Sequence, residues 1–513
     1  MEVETAFDSY IEQVRDDWKN VGVAVAVVRG RETIYARGFG VRESGKTDAI
    51  DPDTLFQVGS TTKAFTTAAL AILVEEGKIR WDEPIIESLP GFQLQDPWLT
   101  RNLTIRDTVT HRSGIAVSLY PYLAVMDSSQ AIRQLRYVGS NGAFRNTFVY
   151  DNLMYAVAGQ VIEAASGIAW SEFVRHRLLQ PLQMSRSGAS PYEFWDARQV
   201  APTFFGSAAG GVSSTEQARD VNMAMPHALD EQGSLVVLPW RSYDNASAAG
   251  ALVSSAAGMA NWLTLHLNEG CFEGRKLLKK ETVLELHATQ NLHSGIDERL
   301  FDETPQGYAM GWWRAQYRGQ THLEHGGGMI GFPAYAALLP DMQLGVVVLS
   351  NSPKAVYGDF TLGYLFHKAI ASWIFDRFLG LPPRDWSREL LSRSRRAQQG
   401  TQENEEKLTR SRLSGKPPSL PLERYAGEYE DMSGHSGLVT LCLENERLTL
   451  SFSGEGAYGA SLEHWHQDLF RLRSRPGVAG VLGMQFVAFI LDVAGSVAAF
   501  TAFGATFRRH ARI

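Results

Sequence analysis

Hydrophobic and polar positions follow three regimes along the chain. From Val21 to Gly40, "VGVAVAVVRGRETIYARGFG" is almost continuously apolar up to Arg29 and mixed beyond it, which predicts two strands joined by a tight turn at Arg29 to Glu32. An acidic, amphipathic first helix, "MEVETAFDSYIEQVRDDWKN", precedes this buried hairpin. From Thr62 to Glu76 the pattern "TKAFTTAALAILVEEG" is rich in alanine and leucine, lacks internal glycine and proline, and stops at Gly77, a residue suited to ending a helix. Helical and turn-rich segments follow to about Pro202, among them "LTIRDTVTHRSGI" and "NLMYAVAGQVIEAASG", and Gly206 to Arg241 reads as an insertion or long loop. Strand patterns return in "HLEHGGGMIGFPAYAALLPDMQLGVVVLSNS", and "FTLGYLFHKAIASWIFDRFLG" closes the region as a helix. Strands at both ends with helices between predict one sheet assembled from distant parts of the chain, with a helical subdomain inserted.

The second regime, residues 380–420, is charged and polar, is bracketed by proline pairs and reads as a linker with some helix. The third, 421–513, alternates with period two: Val439, Leu441 and Leu443 face Leu448, Leu450 and Phe452 across a turn at Asn445. The expected organisation is therefore a first domain over 1–379, a linker over 380–420 and a small β domain over 421–513. In the last of these, "GVLGMQFVAFILDVAGSVAAFTAFGATF" is long enough to span a bilayer. Asp492 at its centre would cost roughly 3 kcal/mol in lipid, and "DVAGS" reads as a hairpin break, so two strands are expected. Because "MQFVAFIL" is apolar on both faces, its outer face calls for a partner, either the first domain or a second copy in a homo-oligomer.

Composition narrows the function classes. The 513 residues are 44% hydrophobic and 20% charged with a formal net charge of -7, which gives no sign of a nucleic-acid or membrane partner. Cys271 and Cys442 are too few for a disulfide framework, and no basic flank leads into an apolar stretch at the N-terminus. A cytoplasmic location is expected, although Ala511-Arg512-Ile513 loosely echoes a peroxisomal tripeptide.

"FQVGSTTKAF", Phe56 to Phe65, opens the alanine-rich helix with Ser60 and Lys63 three positions apart. Ser60 fits an ordinary helix cap. It also fits a nucleophile, because residues three apart share a helix face and a lysine desolvated by this helix can accept a serine proton. Such a pair is expected with a tyrosine followed two positions on by asparagine, and with a short glycine-containing strand. Tyr150-Asp151-Asn152 and Tyr243-Asp244-Asn245 both supply the former, and Tyr150 is preferred because it stands just before an amphipathic helix. "EHGGGMIGF" supplies the latter, with His325 and Gly327 on the strand, Gly327 allowing close backbone approach and the Gly328 N–H available to an oxyanion.

With these motifs in order, residues from about Phe7 to Leu379 resemble the serine β-lactamase and penicillin-binding-protein superfamily. The resemblance is to its class C-like branch of esterases, D-aminopeptidases, β-lactamase-like hydrolases and acyltransferases, and is supported by "VYDNLMYAVAGQVIEAASG", "AAGALVSSAAGMANWL" and "YAMGWW". The tail, with "YAGEYE" and "LEHWHQDLFRLR", resembles the lipocalin-like barrel appended to some of these enzymes. The fold implied is α/β (α+β): an antiparallel sheet flanked by helices with an inserted helical subdomain, followed by a C-terminal antiparallel β-barrel.

The resemblance implies an acyl-enzyme at Ser60, proton transfer to Lys63 and a leaving-group proton from Tyr150. It further implies substrate contacts at Asn152, His325 and Gly327, and an oxyanion hole from the Ser60 and Gly328 N–H groups. It implies no cofactor or metal, and a small-molecule or peptide ester or amide as substrate. Acyl transfer to an alcohol or amine, and a slowly deacylating sensor or binding protein, are the alternatives. Two departures stand out. His325 replaces the lysine usual in true β-lactamases, which weakens recognition of a carboxylate at neutral pH; Asp151 stands where serine is frequent, with no role assigned. The pairs His322 with His325 and His464 with His466 read as strand histidines rather than metal ligands. Trp312 and Trp313 read equally as cleft or core.

Overall fold

The computed structural model describes residues 2–115, 127–140, 142–195, 200–201, 222–230, 232–292, 302–352, 364–431, 438–452, 459–473 and 485–510. Residues 206–221 of the expected insertion, Gly480 to Met484 and the terminal tripeptide lie outside the described residues.

The longer elements are numbered in chain order. Helix α1 (Glu2–Asp17) leads into β1 (Gly22–Arg29) and β2 (Glu32–Gly40), then α2 (Thr62–Glu75), α3 (Asn152–Ser166) and α4 (Ala256–Leu267). Strands β3 (Glu303–Tyr308), β4 (Trp313–Tyr317), β5 (Gln320–Met329), β6 (Phe332–Leu339) and β7 (Leu344–Ser350) follow, then α5 (Leu365–Phe378). They form one seven-stranded sheet in the order β3-β4-β5-β6-β7-β1-β2, antiparallel throughout, so the N-terminal hairpin docks on β7 with Val25 opposite Val348.

Burial on both faces explains why β1 reads as an unbroken apolar run. Val23, Val25 and Val27 pack with Phe7, Ile11 and Val14 of α1 and with Ile370 and Ile374 of α5. Ala24, Ala26 and Val28 face the other way, into the core that holds α2, α3 and α4. Helix α2 is buried along most of its length, with Phe65 stacked on Trp262 of α4 at 3.8 Å.

The polar stretch after Gly380 forms one 25-residue helix, α6 (Trp386–Arg410). Its first turns are not linker-like. Trp386, Leu390 and Leu391 are buried in the α1 and α5 core, and the Trp386 indole donates to Asp376 at 2.7 Å. Eight strands then close an antiparallel barrel: β8 (Gly427–Asp431), β9 (Leu438–Glu444), β10 (Arg447–Phe452), β11 (Gly459–His466), β12 (Leu469–Arg473), β13 (Phe486–Leu491), β14 (Val497–Ala502) and β15 (Ala505–Arg509). Val439 pairs with Phe452 and Leu441 with Leu450 across the positive-φ turn at Asn445 and Glu446. Aromatic rings fill the interior, among them Tyr425, Phe470, Phe489 and Phe500. The apolar stretch around Asp492 is the β13–β14 hairpin, and its outer face is partly covered where Phe486 meets Trp465 at 5.3 Å. Among the described residues no helix is long and apolar enough to cross a membrane.

Candidate active site

Ser60 lies in a single 3-10 turn, Gly59–Thr61, that runs straight into α2. Its hydroxyl does not cap the helix: α2 is capped at Thr61 without a side-chain bond, and Thr62 Oγ1 closes the turn onto the Gly59 carbonyl at 2.6 Å. Instead Ser60 Oγ lies 2.9 Å from Lys63 Nζ and 3.0 Å from the Tyr150 hydroxyl. The spacing of three brings Lys63 onto the face of α2 that carries Ser60.

Lys63 is fully buried. Besides Ser60, its Nζ reaches Asn152 Oδ1 at 2.7 Å and the Ala249 carbonyl at 2.9 Å. The last two atoms can only accept. An uncharged lysine therefore donates its two protons to them and turns its lone pair to the Ser60 hydroxyl, while an ammonium would donate to all three. Burial favours the uncharged form and drives the Lys63 pKa well below its ordinary value, although the Asp151 carboxylate pulls the other way.

Tyr150 is held by what precedes it. Buried Asp107 forms a capping box with Thr104 and binds Arg112 at 2.5 Å and Arg145 at 2.8 Å. The two arginines are themselves joined through Arg145 N–H to the Arg112 carbonyl, and Val149 N–H donates to the His111 carbonyl. Next, Asp151 caps α3 by accepting from Leu153 N–H at 2.7 Å, and its own N–H donates to His111 Nδ1 at 3.0 Å. The His111 ring lies 4.3 Å from the Tyr150 ring, so the loop and the cap together fix the phenol. Tyr243, in the second copy of the motif, lies against Gly250, where an added Cβ would meet its ring at 3.0 Å.

The glycine-rich strand β5 runs beside this turn. A Cβ on Gly327 would fall 1.8 Å from the Val58 carbonyl oxygen, and one on Gly59, whose φ is +51°, would meet the Gly328 nitrogen at 2.6 Å. The absence of side chains thus lets the serine turn sit directly on the strand, with Gly327 and Gly328 beside Ser60.

His325, expected among the substrate contacts, has both ring nitrogens engaged within the protein. Nδ1 lies 2.7 Å from the Gly326 carbonyl and Nε2 lies 3.0 Å from the Tyr308 hydroxyl. The carbonyl can only accept, so the proton sits on Nδ1 and Tyr308 donates to Nε2. Burial, reinforced by nearby Lys63, lowers its pKa to about 3, so the ring is neutral at physiological pH. Asn152, expected to meet a substrate amide, gives its side-chain oxygen to Lys63.

Sequence reasoning had assigned no role to His111, Tyr155, Tyr308 or the Ala249 carbonyl. Tyr155 donates to the Val109 carbonyl at 2.7 Å and lies 3.4 Å from Tyr308, so these rings form a buried wall behind Lys63 and His325. Tyr155 and Tyr308 lie within phrases that carry the family resemblance, "YAVAG" and "YAMGWW", but the bond of Tyr155 to Val109 spans 46 positions of sequence and its contact with Tyr308 spans 153. Trp312 and Trp313 divide the two roles between them. Trp312 is buried against His266, whereas Trp313 is part-exposed and packs on Phe148 and Tyr308, each at 5.0 Å.

One further cluster has the make-up of a metal site. Ligand atoms of Glu303, His322 and Glu324 lie within 4.8 Å of one another. Lys368 Nζ, however, stands 2.8 Å from Glu324 and 3.4 Å from Glu303, in the position a cation would take.

Residues 7–365 match the family profile described as Beta-lactamase, and residues 411–511 match one described as a domain of unknown function, DUF3471. An unguisins hydrolase of Aspergillus campestris is 28% identical over 439 residues, 82% of this chain and 75% of that protein. Penicillin-binding protein 4 of Amycolatopsis lactamdurans is 24% identical over 65% of this chain and 81% of its own length. Among solved structures, the octameric penicillin-binding protein homologue from Pyrococcus abyssi aligns over 99% of this chain and 100% of that one, with a TM-score of 0.60 at 21% identity. The D-amino acid amidase from Ochrobactrum anthropi SV3, solved with D-phenylalanine, aligns over 75% of this chain and 99% of its own, with a TM-score of 0.54 at 19% identity.

Proposed function

The chain belongs to the Beta-lactamase family, and from that premise we propose that it is a serine hydrolase cleaving an ester or amide through an acyl-enzyme at Ser60. The observation that carries this is the hydroxyl of Ser60, bonded at once to a buried lysine at 2.9 Å and to a tyrosine at 3.0 Å. Uncharged Lys63 takes the Ser60 proton as Oγ bonds to the substrate carbonyl carbon. The carbonyl oxygen, now negative, is met by the backbone N–H groups of Ser60 and Gly328. As the tetrahedral centre collapses, Tyr150 protonates the departing oxygen or nitrogen, and the proton that Lys63 took from Ser60 returns to the phenolate, which leaves Lys63 uncharged again. Water then attacks the ester at Ser60 with the same groups acting in reverse, which releases the acid and restores the hydroxyl.

The neutral, internally bonded His325 supports a substrate with no free carboxylate beside the scissile bond, because that ring offers no charge to balance one. The part-exposed rings of Phe148 and Trp313 support an apolar or aromatic acyl side chain. The similarity to an unguisins hydrolase supports hydrolysis, and that to a D-amino acid amidase supports an amide as the natural bond. We place this chemistry in residues 1–379 and leave the barrel outside it.

The test is labelling by a fluorophosphonate, followed by peptide mapping. Modification of Ser60, abolished in Ser60→Ala, is the expected result; labelling at another serine that persists in Ser60→Ala would end this reading.

A further inference from the structure

Asp151 is the one residue of the Tyr-Asp-Asn motif to which the hydrolytic mechanism gives no task, and it is 4% exposed. One carboxylate oxygen caps α3 through Leu153 N–H. The other, Oδ2, is buried without a hydrogen bond. A small residue with a hydroxyl would cap the helix as well, so the cap alone does not explain a buried carboxylate. Its neighbour in sequence, Asn152, holds Lys63 at 2.7 Å, and the N–H of Asp151 itself holds His111 against the Tyr150 ring. Asp151 thus sits at the joint between the base and the phenol.

We propose that Asp151 is a positioning residue acting through Lys63, its carboxylate being the counter-charge to the ammonium that Lys63 becomes on taking the Ser60 proton. This rests on the reading of Ser60 as nucleophile and Lys63 as base. Before acylation Lys63 is surrounded by neutral acceptors, Ser60 Oγ, Asn152 Oδ1 and the Ala249 carbonyl. Moving a proton onto it creates a buried positive charge, and the carboxylate that acts on it among the described residues is that of Asp151. The other titratable groups facing the pair come from the loop before Ser113, from β3, from β5 and from the start of α3: His111, Tyr308, His325, Tyr150 and Tyr155. Burial holds His111 and His325 uncharged and keeps Tyr155 and Tyr308 protonated. Asp151 itself is raised to about 7 by burial, moderated by the N–H groups of Leu153 and Met154 and by Lys63.

The sign follows. The carboxylate raises the proton affinity of Lys63, so removing it moves the acid limb of kcat/KM to lower pH, and it also removes the stabilisation of the ammonium formed in the transition state. The experiment compares full-length wild type, Asp151→Asn and Asp151→Ser, both replacements being able to cap α3, in kcat/KM for p-nitrophenyl acetate from pH 5 to 9. Both variants are expected to shift the acid limb down by about one unit and to lower the plateau about 3- to 10-fold, with unchanged melting temperature. Wild-type limb and plateau in both variants would overturn the proposal, as would a change in one variant and none in the other, since both lack the charge. Either result leaves the hydrolase reading standing if Ser60 is still labelled by fluorophosphonate; loss of that labelling in wild type removes the hydrolase reading first.

Discussion

Lys63 and Lys368 are both buried, and they stand on opposite faces of the same sheet. Lys368, on α5, is placed between carboxylates, 2.8 Å from Glu324 and 3.4 Å from Glu303, with His322 a further 3.3 Å from Glu303. Burial alone would raise the Glu303 pKa; Lys368 and His322 bring it below the usual range. Lys63, on α2, meets a hydroxyl, an amide oxygen and a backbone carbonyl, and burial drives its pKa far down. Two lysines with the same covalent chemistry thus differ through their neighbours. Ion pairing makes one a fastener between strands and helix, and neutral hydrogen-bond partners suit the other to the role of base proposed for it.

The largest expected effect separates the two in activity. Lys63→Ala should lower the acylation rate by about 10²–10⁴, the range for a positioned acid or base, and Tyr150→Phe should fall in the same range. Lys368→Met should leave the rate per folded molecule unchanged. Burst release of p-nitrophenol measures both, and a crippled Lys368→Met or Tyr243→Phe beside a normal Tyr150→Phe would break the comparison.

Stability should invert the order. Lys368→Met deprives buried Glu303 and part-buried Glu324 of their lysine and is expected to cost about 3–5 kcal/mol, whereas Lys63→Met removes no ion-pair partner at hydrogen-bond distance and should cost less. Urea denaturation followed by tryptophan fluorescence decides it, and equal losses would mean that Lys63 is a structural cation as well.

How much of this was legible in the sequence depends on the range of the interaction. The spacing of Ser60 and Lys63, the helix that buries them, the Tyr150 motif ahead of α3 and the period-two pairs such as Val439 with Phe452 are local patterns, and the sheet, helices and barrel follow them. The contacts of His325 depend on Tyr308, 17 positions away, and those of Lys63 on Ala249, 186 positions away, which no local pattern announces. The segment after Gly380 is instructive in the other direction. Its overall polarity reads as linker, yet three apolar positions at helical spacing, Trp386, Leu390 and Leu391, suffice to bury its first turns. Composition averaged over 40 positions hides a short amphipathic stripe.

A smaller effect is the pH dependence of stability. For Lys63 the folded pKa lies below the unfolded one, so between them the unfolded chain binds the extra proton and stability rises with pH, by at most about 1.4 kcal/mol per unit. Glu303 has the same sign in a lower window: its folded pKa is depressed, so its contribution is present above the unfolded value and is lost as pH falls through the folded one. Denaturation midpoints from pH 7 to 9 should therefore rise more in wild type than in Lys63→Met. Parallel slopes would show that Lys63 titrates alike in both states.

The smallest expected effect comes from placing a third buried lysine on a strand of the sheet itself. His325→Lys restores the residue usual in true β-lactamases, and on the family pattern alone it should confer recognition of a carboxylate. The comparison of Lys63 with Lys368 says otherwise. A lysine at this position would be buried beside the Gly326 carbonyl and the Tyr308 hydroxyl, with Lys63 close enough to disfavour a second positive charge. That is the environment of Lys63 rather than of Lys368, so the new side chain should be uncharged at neutral pH. Turnover of a chromogenic cephalosporin should then change by less than about threefold, under ~0.7 kcal/mol, with Ser60 still labelled by fluorophosphonate as a check that the site is intact. A gain well above this would mean that a substrate carboxylate can itself supply the missing counter-charge, and that neighbours in the unliganded protein do not alone decide what a buried lysine becomes.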